Sequence, residues 1–573
     1  MLTADDLATW ERVRRYAVPR WMIERATERR VAGDWRGALA AANVHVGFDL
    51  QDVAAEHGRR AAEALEDDLL HLAPDLLRWH LPRMLGGRTT IKIDTPVVLS
   101  RVRRTGEGEP GPAMKGSGPW LYVRRVKLAD GPQRLELRVG EPVREEWRYR
   151  DLEDWTRSRH LWDVRRAGEL LARVGGTDRP PFFHADGTPL RDDELPASAG
   201  ADPVTRTEWV TLLQERGEFD EACAAAGVRL LRKGKVESWR SDPPDVVLRE
   251  ALTEGRPLLT RLAEETRRTG HRRAVFSIGY HYIAVDVSYK RAMLRLIETK
   301  DADGLPVLPE TCRRPSPDLE LLRAGRIGLD DLHPLVRSAL FPAAGPPARS
   351  ARTVGQAPAV LREVIRVRCR GEWHEVGPGL AIPHSAEEIR REEALQALGG
   401  SISGCFALRD AWRTGRGRLP RAARELRREL LLRAQHGDTP GVLELLDAGV
   451  DPHVRDGRQR TLLHLLYLLD HEELLPRLLK AGLDLEATDH RNCTPLYLAV
   501  LMRGSEKLVR DLIAAGANIH VLDSWDLSLR RVIRRFQRTE LMDIAEQIDP
   551  DLGDEDADDW YDWIEDEEAD DDW

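Results

Sequence analysis

The chain has 573 residues, 42% of them hydrophobic and 32% charged, with a formal net charge of −10. That balance excludes a wholly disordered polypeptide, and the length exceeds one ordinary domain. The longest apolar stretch, residues 274–287, is interrupted by His281 and Asp286 and is too short to cross a bilayer.

The charge is unevenly spread. Residues 551–573 hold fourteen Asp or Glu and no Lys or Arg, and without them the formal charge moves from −10 to +4. Only nine of the 87 basic residues are Lys, a skew expected of a GC-rich, bacterial genome, which weakens any argument built on arginine alone. The first residues, Met1-Leu2-Thr3-Ala4-Asp5-Asp6, carry acid instead of the apolar segment of a secretory signal, so a cytoplasmic location is expected. The five cysteines, Cys223, Cys312, Cys369, Cys405 and Cys493, are odd in number and scattered, with no C-x-x-C pair. Reduced, buried thiols are expected, with neither a disulfide framework nor a metal site, and no cofactor is called for.

In chain order, Gly33-Asp34-Trp35 with Ala38 and Ala40-Ala41-Ala42 is paralleled by Gly217-Glu218-Phe219 with Ala222 and Ala224-Ala225-Ala226, at an offset of 184. Each segment precedes an amphipathic stretch (61–85 and 246–268) and then a strand-like run (90–102 and 273–288). A duplicated α+β module is the expectation, and chance similarity of Ala-rich helices is the alternative. Strand pairs follow at 120–128 with 133–139, joined through Asp130-Gly131, and at 364–369 with 373–376. Gly/Pro-rich stretches at 106–118, 177–202 and 342–356 read as linkers. A helix is expected at 386–398, stopped by Gly399-Gly400, and a basic helix at 421–433.

Further on, Ala448-Gly449-Val450-Asp451, Ala481-Gly482-Leu483-Asp484 and Ala515-Gly516-Ala517-Asn518 recur at intervals of 33 and 34 residues. Each follows a Leu-Leu or Leu-Ile pair (Leu445-Leu446, Leu478-Leu479, Leu512-Ile513) and precedes an Asp (Asp456, Asp489, Asp523). Thr461 and Thr494 sit where a hydroxyl can cap a helix, Pro495 suits a first helical turn, and each Gly suits a left-handed helix stop. One helix pair cannot bury both of its apolar faces, so such units must stack.

These residues resemble the ankyrin repeat family. Its T-P-L-H appears as Thr461-Leu462-Leu463-His464, without the Pro, and as Thr494-Pro495-Leu496-Tyr497, without the His. The fold class expected is therefore multidomain and mainly α, with α+β amino-terminal modules and a carboxy-terminal ankyrin α-solenoid. The expected division is 1–176, 203–341, 357–427, 428–549 for about three and a half repeats, and an acidic disordered tail at 550–573. A last unit from Asp523 is degraded: Arg530, Arg531, Arg534, Arg535 and Arg538 replace apolar positions, as suits a solvent-facing cap.

The resemblance implies a protein-binding adaptor or scaffold. Mapped on this chain, the outward turns carry Arg458 and Arg460, His490 and Arg491, then Ser524 and Trp525, and the inner helices add Tyr467 and Met502. These residues are expected to meet a protein partner. The tail's Trp560, Tyr561, Trp563 and Trp573, set among carboxylates, are expected to dock on the basic helix at 530–538.

Catalytic patterns are weak. Gly106-Glu107-Gly108-Glu109-Pro110-Gly111 matches a dinucleotide loop, but Pro112 follows in place of a helix and two Glu would repel a pyrophosphate. His471-Glu472-Glu473 and His374-Glu375 lack a second His four residues after the first, and Tyr280-His281-Tyr282 reads as core packing. The basic runs at 232–235, 267–273 and 421–428 alternate with acids, so nucleic-acid binding is not expected. The chain reads as a non-enzyme, and the rival is an enzyme in the amino-terminal modules with the repeats as its targeting arm. A deep pocket with converging polar side chains within residues 1–350 would favour that rival.

Overall fold

The computed structural model describes residues 2–85, 89–92, 96–102, 119–125, 134–142, 152–231, 243–279, 281–302, 304–345, 361 and 363–552. The Gly-rich segment at 106–118, Tyr280 and the tail from 553 lie outside the described residues. The described residues are mixed helical with small sheets and divide between two compact units at about residue 350.

In the first unit a helix at Arg20–Val31 meets a second at Trp35–Ala41 across Gly33, whose φ of 77° only glycine adopts without strain. Asp34 caps the second helix through the Gly37 N–H. A short strand β1 (Val44–Val46) follows, then helices Leu50–His57, Arg59–His71 and Pro74–His80, then β2 (Val97–Arg101), β3 (Trp120–Arg125) and β4 (Leu135–Gly140). The last three form an antiparallel meander, and β1 runs parallel to β4 with Val44 opposite Leu135; β5 (Glu153–Asp154) adds to β2.

The same order, without a counterpart to helix Pro74–His80, returns further along the chain. Helices Pro203–Glu215 and Phe219–Ala226 flank Gly217, again at φ 77°, and lead into β6 (Val228–Leu230). Helices Pro244–Gly255 and Leu259–Arg268 precede the meander β7 (Arg273–Ile278), β8 (His281–Asp286) and β9 (Ala292–Ile297). Here too the short strand is parallel to the third strand of the meander, with Val228 opposite Ala292.

The sequence division at 203–341 places helices Pro317–Arg323 and Pro334–Leu340 with the second set, whereas their apolar faces lie in the first core. Leu321, Leu322, Leu340 and Phe341 are buried there with Trp79, Trp155 and Trp162. Polar contacts fix the return: Arg14 Nε lies 2.5 Å from Asp318 Oδ1, both side chains buried, and Trp79 Nε1 donates to Asp318 Oδ2 at 3.1 Å. Asp75 and the His333 ring are joined at 2.9 Å, also buried.

The second unit begins with a hairpin, β10 (Ile365–Cys369) and β11 (Glu372–Val376), whose two-residue turn has both Arg370 and Gly371 at positive φ. Helix Ala386–Ala397 starts at a Ser385/Glu388 capping box, and Gly404–Thr414 and Arg421–Gln435 follow. One continuous apolar core then runs from Ile365 through Trp412 and Leu430 to Ile548. Within it lie helices Thr439–Asp447, His471–Lys480, Pro495–Leu501, Glu506–Ala514 and Leu529–Arg535.

Candidate interaction surface

Three helix ends in this core are chemically identical. Gly449, Gly482 and Gly516 take φ of 87°, 87° and 103°, and the residue after each donates its N–H to the leading Leu of the preceding pair. The chain then reverses in a turn closed by aspartate. Asp456 accepts the N–H groups of Arg458 and Arg460, Asp489 those of Arg491 and Cys493, and Asp523 those of Trp525 and Leu527. Successive turns are tied to one another: His490 N donates to Arg458 O at 3.0 Å, and Ser524 N to Arg491 O at 2.8 Å.

Behind the turns, side chains stitch each unit to the next. The His464 ring accepts the Thr461 N–H on Nδ1 and reaches Cys493 O through Nε2 at 3.1 Å. One repeat later Tyr497 does the same with a different group, its hydroxyl lying 2.9 Å from Asp523 Oδ2 and 3.2 Å from Leu527 O. The missing histidine is thus replaced in its role. His471 Nε2 joins Asp511 at 3.0 Å, linking two more units. Thr494 and Ser528 cap helices as their residue types suggest. The stretch after Thr461, with Leu462 in place of proline, closes instead on i→i+3 bonds and forms a short 3-10 turn at Leu466–Leu468, so no α-helix starts there.

The residues expected at a partner surface separate into two groups. Arg458, His490, Arg491 and Trp525 occupy the row of turn tips, His490 exposed and the others half-buried, with the Arg491 guanidinium 5.3 Å from the centre of the Trp525 ring. Met502 is half-buried against the core. Arg460 and Tyr467 do not face outward. Arg460 folds back on Asp456 at 2.6 Å and is buried, and Tyr467 is 1% exposed within the core, so both are structural. Arg538, expected on a solvent-facing cap, is also buried: it donates to Val500 O and Gly504 O of the preceding repeat. Helix Leu529–Arg535 keeps an apolar inner face of Leu529, Val532 and Ile533.

This geometry defines a stacked helical-repeat solenoid with a turn-lined edge. The family model described as Ankyrin repeats (3 copies) matches residues 430–523, and this part of the chain is an ankyrin-repeat array. No curated protein matches the chain.

Two other places concentrate polar groups. In the first unit a cavity of about 450 Å³ is lined by Asp67, Asp68, Ser158, Arg159, Glu265 and Arg268 among others. Its charges are largely matched: Arg159 contacts Asp68, Arg165 holds Asp67 at 2.8 Å, and Arg173 holds Glu265 at 2.5 Å. The hydrogen bond from Arg165 lowers the pKa of Asp67, and burial raises that of Glu265.

In the second unit Cys369, His374, His384 and Cys405 bring one donor atom each within 4.8 Å of one another. Cys369 and His374 share a hairpin face, because Cys369 pairs with Glu372 and Val367 with His374. Gly404, at φ 62°, lets the next helix come against the hairpin; a Cβ there would lie 2.6 Å from the Cys369 sulfur. Burial and the neighbouring Cys369 push the Cys405 thiol up to about 11. Cysteine spacing alone does not point to this donor set, which the fold brings together. The four residues come from two strands, a loop and a helix start, at separations that no C-x-x-C or H-E-x-x-H pattern covers.

Proposed function

We propose that the protein is a cytoplasmic, non-enzymatic adaptor or scaffold that recruits a protein partner through its ankyrin array. The row of stacked turn tips supports this reading most directly: backbone bonds hold the tips, where His490 is exposed and Arg458, Arg491 and Trp525 are half-buried. An aromatic beside an arginine is the composition found where interfaces concentrate their binding energy. Replacing Arg458, His490 and Arg491 together by Glu, in the full chain, is the test. Loss of specifically co-purified partners on affinity purification supports the reading, and an unchanged profile rejects it.

The two matching helix-strand-meander sets of the first unit are read as copies of one α+β module, forming a platform for the array. A second reading is favoured by the cavity beside Asp68 and Arg268, where a small polar ligand would bind. Ligand-induced thermal stabilisation abolished by Asp68→Ala would support it. The acidic tail is read as a tethered competitor for the helix surface carrying Arg530, Arg531, Arg534 and Arg535, so deleting residues 551–573 strengthens partner binding.

A further inference from the structure

The segment from Ile365 to Thr414 joins the core of the array through Ile365, Val367, Phe406 and Trp412, while its middle is thinly buried. Helix Ala386–Ala397 has no buried residue, Trp373 is 69% exposed and Leu398 85%. Yet the hairpin, the loop at His384 and the start of helix Gly404–Thr414 converge on one point, and the side chains that meet there are two cysteines and two histidines. A hairpin and a surface helix with little burial between them are the kind of elements a cross-link or a metal holds together.

We propose that Cys369, His374, His384 and Cys405 bind one Zn²⁺ as a structural site that locks the hairpin to the helix in front of the ankyrin array. The distances fit. With Zn–S near 2.3 Å and Zn–N near 2.0–2.1 Å, the edges of a tetrahedron are about 3.3–3.8 Å. His374 Nδ1 lies 3.3 Å from Cys405 Sγ, and His384 Nε2 lies 3.5 Å from Cys369 Sγ. The other ring nitrogen of His384, Nδ1, faces the Glu388 carboxylate at 3.7 Å. That separation is beyond hydrogen-bond reach, so the carboxylate acts on the ring through its charge, in the sense in which outer-shell carboxylates orient metal-bound imidazoles. The Phe406 ring lies 4.6 Å from the His384 ring and closes the apolar side.

Charge agrees with geometry. Binding converts two thiols to thiolates and releases their two protons to solvent, while both imidazoles bind neutral. Two thiolates then cancel the ion's charge, so a neutral centre forms where Cys369 and Cys405 are 2% and 0% exposed. Two sulfur and two nitrogen donors in a tetrahedron select zinc over the oxygen-preferring ions. Four protein ligands leave no open position for substrate, which makes the site structural.

The test uses the full chain purified under reducing conditions. Elemental analysis by plasma mass spectrometry is expected to give about one zinc per chain, and Cys369→Ser and Cys405→Ser to lower it to a tenth or less. Because these variants can misfold, the unaltered chain provides a second measurement. Chelation followed by Co²⁺ is expected to give the visible absorption of a tetrahedral thiolate-imidazole centre. Zinc removal is expected to speed amide exchange in residues 365–405 while leaving residues 273–297 unchanged. Metal-free protein that takes up neither Zn²⁺ nor Co²⁺ overturns the proposal. So does zinc retained by a chain carrying both Cys369→Ser and Cys405→Ser, or a Cys369–Cys405 disulfide in chain isolated without reductant.

Discussion

Tyr497→Phe isolates one contact between repeats. The side chain is fully buried, and its hydroxyl serves both Asp523 Oδ2 at 2.9 Å and Leu527 O at 3.2 Å. Phenylalanine keeps the ring and its packing, so no cavity larger than a hydroxyl is left. A hydrogen bond to a charged group contributes about 1.5–3 kcal/mol. Asp523 keeps its bonds from the Trp525 and Leu527 N–H groups, which limits the expected cost to about 2 kcal/mol. At about 1.4 kcal/mol per factor of ten, that is roughly thirty-fold faster exchange of the amides that open with this contact. Hydrogen exchange with mass spectrometry on the full chain reads it, comparing peptides within 494–536 with those within 273–297. A change below about two-fold at 494–536, or an equal change in both regions, would refute the idea that this hydroxyl replaces the histidine of the preceding repeat.

Three other outcomes follow. Burial, opposed by the bond to Cys493 O, holds His464 at about 4, below its ordinary 6.5, so it folds neutral. The unfolded chain binds the proton more readily, so the array loses stability as pH falls from 6.5 towards 4, by at most about 3 kcal/mol; His464→Gln should flatten that slope in urea denaturation at stepped pH. Asp318→Ala leaves the Arg14 guanidinium buried without its carboxylate and should cost about 3–5 kcal/mol, seen as a lowered calorimetric transition of the first unit. Gly482→Ala puts a Cβ on a left-handed residue with open space around it, so backbone strain alone should cost about 1 kcal/mol in denaturation of the array.

The array was legible because its landmarks are local and repeat. A glycine at positive φ, an aspartate closing the following turn and a hydroxyl capping the next helix each impose a residue type at a fixed spacing, whatever lies around them. Direction was less legible. Arg460 and Arg458 are both arginines on one turn, and only the carboxylate of Asp456 decides that one folds inward. Tyr467 sits in the short 3-10 turn ahead of helix His471–Lys480, and nothing at that spacing distinguishes a groove from a core. The cysteine-histidine cluster was illegible for a different reason: its members are 5, 10 and 21 residues apart, and only the tight hairpin turn and the glycine at 404 bring them together. The two short strands before the meanders were likewise too brief for periodicity to mark, although the Gly-acid-aromatic segment ahead of each was visible.

The buried bond between Arg14 and Asp318 also bears on how the chain is made. Three hundred and four residues separate the two partners. At about 5–20 residues per second, a ribosome needs on the order of 15–60 s to deliver the aspartate after the arginine has emerged. Through that interval the guanidinium and the tryptophans around it have no finished interior to enter. The first unit therefore completes its interior only late in synthesis, and its amino-terminal part waits exposed until then.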